Sequence, residues 1–525
     1  MAAGDGLTGR VSSGALVLLL LLTGCLWIPS GDVARRLADA DGDGYASEMA
    51  GGPDCDDGDG ATHPGAEEIC GDGIDQDCDR DAKDCRFESE RSLSEIVLVG
   101  DGPGAFVGSV VALPGDVDGD GAPDMLIGAY GDSDEAGAGY LVHGPPGPAR
   151  AASLAETRFH GGAPGDQAGF SLTGAGDVDG DGADDIVIGA PFTDGAVEAA
   201  GVACIFYHPP EGDVALADAD AIVLGRSAYD NVGGSMVGAG DVNADGFADV
   251  LIGATGFDSD EVVDAGAAFL LYGPVTGTSM VDPAEGSVVG DASSQQVGGA
   301  MCGPGDMDGD GFDDIWVAAP GWDGPVGSTP EAGAAFMALG PVAGEVRLAT
   351  ADASLFSPNS LDYFGADLAG TDVDQDGYAD LLVLAPGDDS GALDAGAVFL
   401  YPGPLTGTVA VSDYHAAWRG TSQGALFPQI RIAGDLDGDG WSDLVFSAGN
   451  GEEGGEAAGA ARVVYGPLRS GSQASELLGR EGDHAGWSVA GGSDLDADGL
   501  DDLLVGGYGH GADAGAAWFV AGSGP

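Results

Sequence analysis

The sequence predicts an all-β fold built from seven copies of one unit, and three observations carry that prediction. An Asp-rich loop, Asp-x-Asp/Asn-x-Asp-Gly-x-x-Asp, begins at Asp116, Asp177, Asp241, Asp306, Asp372, Asp435 and Asp494. Successive starts lie 61, 64, 65, 66, 63 and 59 residues apart, so the spacing marks one repeated structural unit. Each loop runs straight into a short aliphatic or β-branched run, such as Ile186-Val-Ile-Gly-Ala or Val250-Leu-Ile-Gly-Ala, which reads as a buried strand.

Other strands complete the unit. A segment such as Phe170-Ser-Leu-Thr-Gly-Ala precedes each loop, and a second β run such as Ala268-Phe-Leu-Leu-Tyr follows the buried strand. Several of these runs end in Gly-Pro, which stops a strand. A weaker fourth run, for example Ala221-Ile-Val-Leu, leads into the next unit. Four strands per unit and seven units predict a seven-bladed β-propeller of four-stranded antiparallel blades over residues 95–525. A calcium-binding β-helix would repeat every nine residues or so, and a string of sandwiches needs nearer 100 residues per domain. The last unit has three strands and ends at Val520, whereas Ile96-Val-Leu-Val precedes the first unit without a blade of its own. That run is expected to close the ring as the outer strand of blade seven.

At these residues the units resemble FG-GAP repeats, the blades of the integrin α-subunit propeller. Tyr363-Phe364-Gly365 carries the FG part, inverted in Gly169-Phe170 and Gly486-Trp487, and Gly189-Ala190-Pro191 carries the GAP part. Blade six departs most, with Leu426-Phe427-Pro428 and Ser447-Ala448-Gly449 in those places. The resemblance implies calcium loops at one end of the ring and a ligand-binding face at the other. In integrins only some blades carry the loop, whereas here all seven do.

The loop chemistry points to calcium on its own terms. Calcium takes six to eight oxygens, and carboxylates at alternate positions of a tight turn can point inward together. In blade one these are Asp116, Asp118 and Asp120, with Asp124 closing the site; Gly121 permits the reversal and the Ala122 carbonyl adds an oxygen. The same positions hold Asp177, Asp179, Asp181 and Asp185 in blade two, and Asp241, Asn243, Asp245 and Asp249 in blade three. Blade four has Asp306, Asp308, Asp310 and Asp314, and blade five has Asp372, Asp374, Asp376 and Asp380. Blade six has Asp435, Asp437, Asp439 and Asp443, and blade seven has Asp494, Asp496, Asp498 and Asp502. An EF-hand needs Glu at position twelve and a helix beyond it; Ile127 and a strand stand there instead. Asn243 removes one charge, so blade three should bind more weakly. Two carboxylates about 5 Å apart repel by roughly 3 kcal/mol at an effective dielectric near 20, so a closed loop needs a cation. About seven Ca2+ ions are expected in the propeller.

Of 525 residues, 88 are acidic and 16 basic, for a net charge of −72, which argues against a nucleic-acid partner. The N-terminus reads as a lipoprotein signal peptide over residues 1–24: Arg10, an apolar run from Ala15 to Leu22, then Leu22-Thr23-Gly24-Cys25. That tetrapeptide matches the bacterial lipobox, in which the cysteine takes the lipid. Cys25 is therefore the expected lipidation site, and the anchor alone would hold the protein to a membrane. Residues 25–38 read as a tether. Residues 39–85 read as a small Asp/Cys-rich module resembling a metal-binding motif of secreted bacterial proteins. Its Cys55, Cys70, Cys78 and Cys85 suggest two disulfides of undetermined connectivity. Its Asp39, Asp41 and Asp43 suggest an eighth calcium site. Gly71 and Gln76 depart from the motif's usual residues. Cys204 and Cys302 are expected as buried thiols.

Nothing in the chain predicts an enzyme. The seven His residues are scattered, and Gly420-Thr-Ser422-Gln-Gly424 matches a nucleophile elbow only in outline, because that motif needs a strand-to-helix turn. Loops joining the second and third strands must emerge opposite the Asp loops. They carry Tyr130, Phe192, Phe257, Trp322 and Tyr508, which are candidates for a recognition surface or for caps on the blade cores. The expectation is a non-enzymatic, calcium-binding surface protein, lipid-anchored to the outer membrane and facing the cell surface or periplasm, that adheres to a protein or polysaccharide. A polysaccharide hydrolase or lyase on a propeller scaffold, and a structural or metal-storage envelope protein, are the alternatives.

Overall fold

The computed structural model describes residues 90–525 apart from 148, 195–196, 260, 325–328, 422–427, 449–456, 473 and 523–525, together with Cys55 and Thr62. Cys25, Asp39, Asp41, Asp43, Cys70, Cys78, Cys85 and Ser422 lie outside the described residues.

The described chain folds as seven sheets. In blade one, Val110–Gly115 pairs with Asp124–Ala129, then Ala138–Val142, then Thr157–His160, all antiparallel. The other six repeat this meander, and their first strands neighbour one another around a closed ring. The second strands begin at the last Asp of each loop and are buried end to end, as in Asp124–Ala129 and Asp185–Ala190. Both faces of each such strand meet a neighbouring sheet, so the sequence shows a continuous apolar run rather than an alternating one. The period of two is still present. Leu126 packs with blade two, whereas Met125 and Ile127 pack with blade seven. There is one hydrophobic cluster between each pair of adjacent blades.

The ring closes as expected. Glu95–Val99 pairs antiparallel with Ala516–Val520, with Glu95 opposite Phe519 and Val99 opposite Ala516. Val97 and Leu98 are buried there.

The blades differ from the four-stranded expectation in one respect. Six of them carry a fifth strand, added parallel to the outer edge and lent by a neighbour. Gly212–Ala215 belongs by sequence to blade two but pairs with Thr157–His160 of blade one. Gly277–Met280, Gly344–Arg347 and Gly407–Val409 do the same for blades two, three and four. Arg150–Ala151 extends blade seven, and Glu90–Ser92 extends blade six by pairing with Ala474–Leu478. In blade five the lent segment makes a side-chain contact instead: the Ala417 N–H donates to Ser470 Oγ at 3.0 Å. Among the described residues no helix is long and apolar enough to cross a membrane.

Candidate metal loops and the opposite rim

All seven loops have the same internal geometry, and their own carboxylates shape it. The first Asp accepts the N–H of the glycine five residues on at 2.8–3.0 Å in every blade. That glycine has φ between 85° and 99°, which is left-handed backbone that a side chain would strain. The residue at position three accepts the N–H of position five, and position five accepts that of position seven. These Asx-type turns hold each carboxylate against the inside of the loop.

The last Asp does two jobs. Asp124, Asp185, Asp249, Asp314, Asp380, Asp443 and Asp502 are all buried. In each, Oδ2 accepts the N–H of loop position two, at 2.6–3.0 Å. In six of them Oδ1 accepts the N–H of the glycine that ends the third strand, at 2.7–3.0 Å. This residue therefore ties the loop to the blade while its carboxylate faces the other donors. Oxygens of Asp177, Asp179 and Asp185 lie within 4.8 Å of one another, as do those of Asp306, Asp308 and Asp314 and of Asp372, Asp374 and Asp380.

The electrostatics leave a deficit of positive charge. Taken by themselves, the protein groups push these buried carboxyls up, to about 6 at Asp249, Asp314 and Asp380, about 7 at Asp185 and Asp502, and about 8 at Asp443. Burial is the main cause; the backbone N–H groups oppose it and the other loop carboxylates add to it. Two buried oxygens, Asp185 Oδ1 and Asp435 Oδ1, have no hydrogen-bond partner. In blade two the reason is local, because His208 stands where the other blades have the donating glycine. A bare buried carboxylate oxygen is costly, and a hard cation held by an all-oxygen donor set satisfies it. The residues present fit such an ion.

Three features of the loops escaped the sequence reading. Residues at position four, such as Gly119, Gly180, Ala244 and Gln375, also have positive φ. Position eight links the blades: the Asp184 N–H donates to the Asp116 carbonyl at 3.0 Å, and Ala248, Asp313, Ala379 and Asp501 repeat that bond. Where position eight is Asp, its side chain also accepts the N–H of the neighbouring loop's first Asp, as Asp184, Asp313 and Asp501 do at 2.8–2.9 Å. A Cβ on Gly115, Gly240 or Gly434 would meet those carboxylates at 2.0–2.1 Å, which explains the glycine just before the loop. Thirdly, two histidines reach loop carboxylates. His143 Nδ1 contacts Asp118 Oδ2, and His208 Nδ1 lies 2.9 Å from Asp181 Oδ2.

At the opposite rim the candidate aromatics separate into two groups. Tyr130, Phe192 and Tyr508 join a chain of rings over blades seven, one and two. Tyr508 stacks on His484 at 4.7 Å and meets Phe106 at 6.1 Å; Phe106 stacks on Tyr130 at 5.2 Å. Tyr130 lies 6.1 Å from Phe170, which meets Phe192 at 5.7 Å. Phe170 and Phe192 are 41% and 40% exposed, so this chain is open to solvent. Phe257 and Trp322 are elsewhere. Phe257 is buried edge-on against Phe269, and Trp322 packs on Phe336 and Phe356. Both cap their blade cores, the second of the two roles open to them: Phe257 is buried and Trp322 half-buried. Cys204 and Cys302 are buried free thiols.

Comparison with known families supports the reading of the repeats. The FG-GAP repeat matches residues 233–271 and 364–401, and the Cu-binding MopE metal-binding motif matches residues 54–83. Integrin alpha-5 of Xenopus laevis is 33% identical over 166 residues, covering 28% of this chain and 15% of that protein. Integrin alpha-IIb of Homo sapiens is 32% identical over 216 residues, 39% of this chain and 19% of that protein. Integrin alpha pat-2 of Caenorhabditis briggsae is 32% identical over 158 residues, 27% and 12%. The chain thus spans under a fifth of the length of these relatives. Two of its repeats thus match the FG-GAP repeat, and its seven-bladed propeller is similar in sequence to part of the integrin alpha chains.

Proposed function

We propose that this integrin-α-like FG-GAP propeller is a non-enzymatic recognition protein that uses calcium as scaffold and binds a protein or polysaccharide through the rim opposite the Asp loops. The observation that carries the reading is the division of labour between the two rims. One rim spends its side chains on seven carboxylate-lined loops, each tied to its blade and most to the next loop. The other presents solvent-exposed rings, Phe170 and Phe192 among them, in a contiguous chain. Aromatic faces of this kind anchor protein and sugar ligands.

Calcium is the ion the donor set favours, through positions one, three, five and nine of each loop and the carbonyl of position seven. The N-terminal segment extends the reading. Cys25 would carry a lipid that holds the protein at the outer membrane, and residues 39–85 would form a second, disulfide-bonded metal module between anchor and propeller. Hydrolysis or lysis of polysaccharide is the less supported alternative, since metal binding by the loops accounts for the carboxylate groups that lie closest together.

Binding of surface proteins and of a glycan panel to the purified full chain, with Ca2+ and with chelator, tests the proposal. Binding that requires Ca2+ and is lost in Phe170→Ala/Phe192→Ala supports it. Ligand binding that survives those changes, or turnover of a polysaccharide, counts against it.

A further inference from the structure

In two of the seven loops a histidine reaches a carboxylate: His208 meets Asp181 in blade two, whereas His143 in blade one comes near both Asp118 and the buried Asp124. His143 directly follows the third strand of that blade, at the place filled by Tyr207, Tyr272, Leu339, Pro402, Tyr465 and Ala521 in the others. In blades two and three a tyrosine stands there and its hydroxyl reaches away to the next blade: the Tyr272 O–H donates to the Val342 carbonyl at 2.6 Å, and Tyr207 to that of Val275. The imidazole of His143 turns the other way, into the loop. Its Nδ1 and one oxygen each from Asp118 and Asp124 lie within 4.8 Å of one another. The Asp118 contact alone could be an ion pair. The Asp124 contact is different in kind. Asp124 is 1% exposed, and its Oδ1 lies 4.0 Å from His143 Nδ1. That is too long for a hydrogen bond and about half an ångström beyond the span of two ligands on one tetrahedral ion with bonds near 2.0–2.2 Å, a gap that a small turn of the imidazole closes.

We propose that the blade-one loop is a mixed imidazole–carboxylate site that takes a borderline divalent transition ion of the Zn2+ and Co2+ class, with His143, Asp118 and Asp124 as ligands. The proposal rests on the reading that the loops hold divalent cations, and it sets this loop apart from the other six. Calcium gains nothing from a nitrogen donor, whereas imidazole suits Zn2+ and its neighbours in the first transition row. The ligands come from three segments, the loop, the start of the second strand and the end of the third. An ion there would therefore clamp blade one across its width.

The test is a Co2+ titration of the full chain, stripped with chelator and held in excess Ca2+, followed by the visible d–d absorption of the bound ion. Wild type is expected to show a band that Zn2+ abolishes. His143→Tyr, which installs the residue of blades two and three, and His143→Gln should each weaken that ion by about tenfold or more. Ions held by the N-terminal module contribute equally to all three proteins, so the difference spectrum isolates the loop. A melting curve in Ca2+ establishes that each variant folds. Identical Co2+ spectra for wild type and both folded variants would overturn the proposal and leave His143 as an ion-pair partner of Asp118. Total bound Ca2+, measured in parallel, separates this outcome from failure of the calcium reading. Loops that take no Ca2+ would refute the parent reading, whereas the His143-dependent band is judged on its own.

Discussion

Asp249 illustrates how much of the fold one loop carboxylate supports. Its two oxygens take the N–H groups of Val242 at 2.8 Å and Gly273 at 3.0 Å, and the side chain is buried. Asp249→Ala orphans both donors, at about 1–3 kcal/mol each. The variant should lose about 2–5 kcal/mol in denaturant unfolding even under chelator, where no ion contributes. A loss seen only in Ca2+ would reduce the residue to a ligand. Gly240 makes a second case. A Cβ there would sit 2.1 Å from Asp313 Oδ2, on backbone with φ of 78°. Gly240→Ala should cost about 2–4 kcal/mol, from left-handed strain plus the clash. Asp313→Ala in the same chain removes the clash but not the strain, so the double mutant should recover about 1 kcal/mol or more. The chain already uses that solution where Gly176 faces Ala248. Simple additivity of the two changes would show that the two residues do not meet. The Gly240–Asp313 pairing is not legible in the sequence because it joins residues about seventy positions apart. His143 was missed for the same reason: its approach to Asp118 depends on strand register and not on local spacing.

At the scale of elements, the strands that could be read are those whose burial leaves a pattern. The second strands are continuous apolar runs because two neighbouring sheets cover them, and the closing strand Glu95–Val99 keeps buried Val97 and Leu98. The lent fifth strands leave no such pattern. Gly277–Met280 is exposed along its whole length. It is held by parallel backbone bonds to an existing edge, which any sequence can make. What the sequence does show of these segments is where they stop, at the Gly-Pro pairs upstream and the weak fourth strands downstream. The N-terminal pair has the larger consequence. Glu90–Ser92 lies on blade six and Glu95–Val99 completes blade seven, so one short segment seals two neighbouring blades. Leu98→Ala should cost about 2–5 kcal/mol, as for a large buried side chain. Deleting residues 1–99 should do more, because it bares Ala516–Val520 as an unpaired edge next to an open core. Light scattering on that truncated chain should report oligomers or aggregate, whereas a chain starting at residue 93, whose propeller loses the strand on blade six but keeps the closing strand, should stay monodisperse. A well-behaved monomer from the longer deletion would mean that the ring does not depend on its closing strand.

For the whole molecule the governing quantity is charge held at short range. The chain carries −72, and seven divalent ions would offset fourteen of those charges. The remainder keeps the surface acidic, so overall repulsion alone could explain some stabilisation by any salt. Distance distinguishes the two effects. At physiological ionic strength the screening length is about 8 Å, while oxygens of three loop acids crowd within 4.8 Å. Diffuse salt therefore relieves repulsion between blades but not within a loop; only an ion in the loop does that. Binding of Ca2+ at about ten times its Kd contributes about 1.4 kcal/mol per independent site. Seven such sites amount to about 10 kcal/mol, which for a domain of this size corresponds to a Tm change of about 10 °C or more. Because position-eight N–H groups join neighbouring loops at five of the seven junctions and a hydrophobic cluster fills each junction, the blades should lose order together and the chelated protein should still melt in one transition. The measurement is scanning calorimetry in Ca2+, in EGTA, and in EGTA with NaCl at physiological ionic strength. The expected result is a large fall in EGTA that NaCl recovers only in small part. Full recovery by NaCl would assign the stabilisation to general screening, and the Asp loops would then be acidic turns that shape the blades without holding an ion.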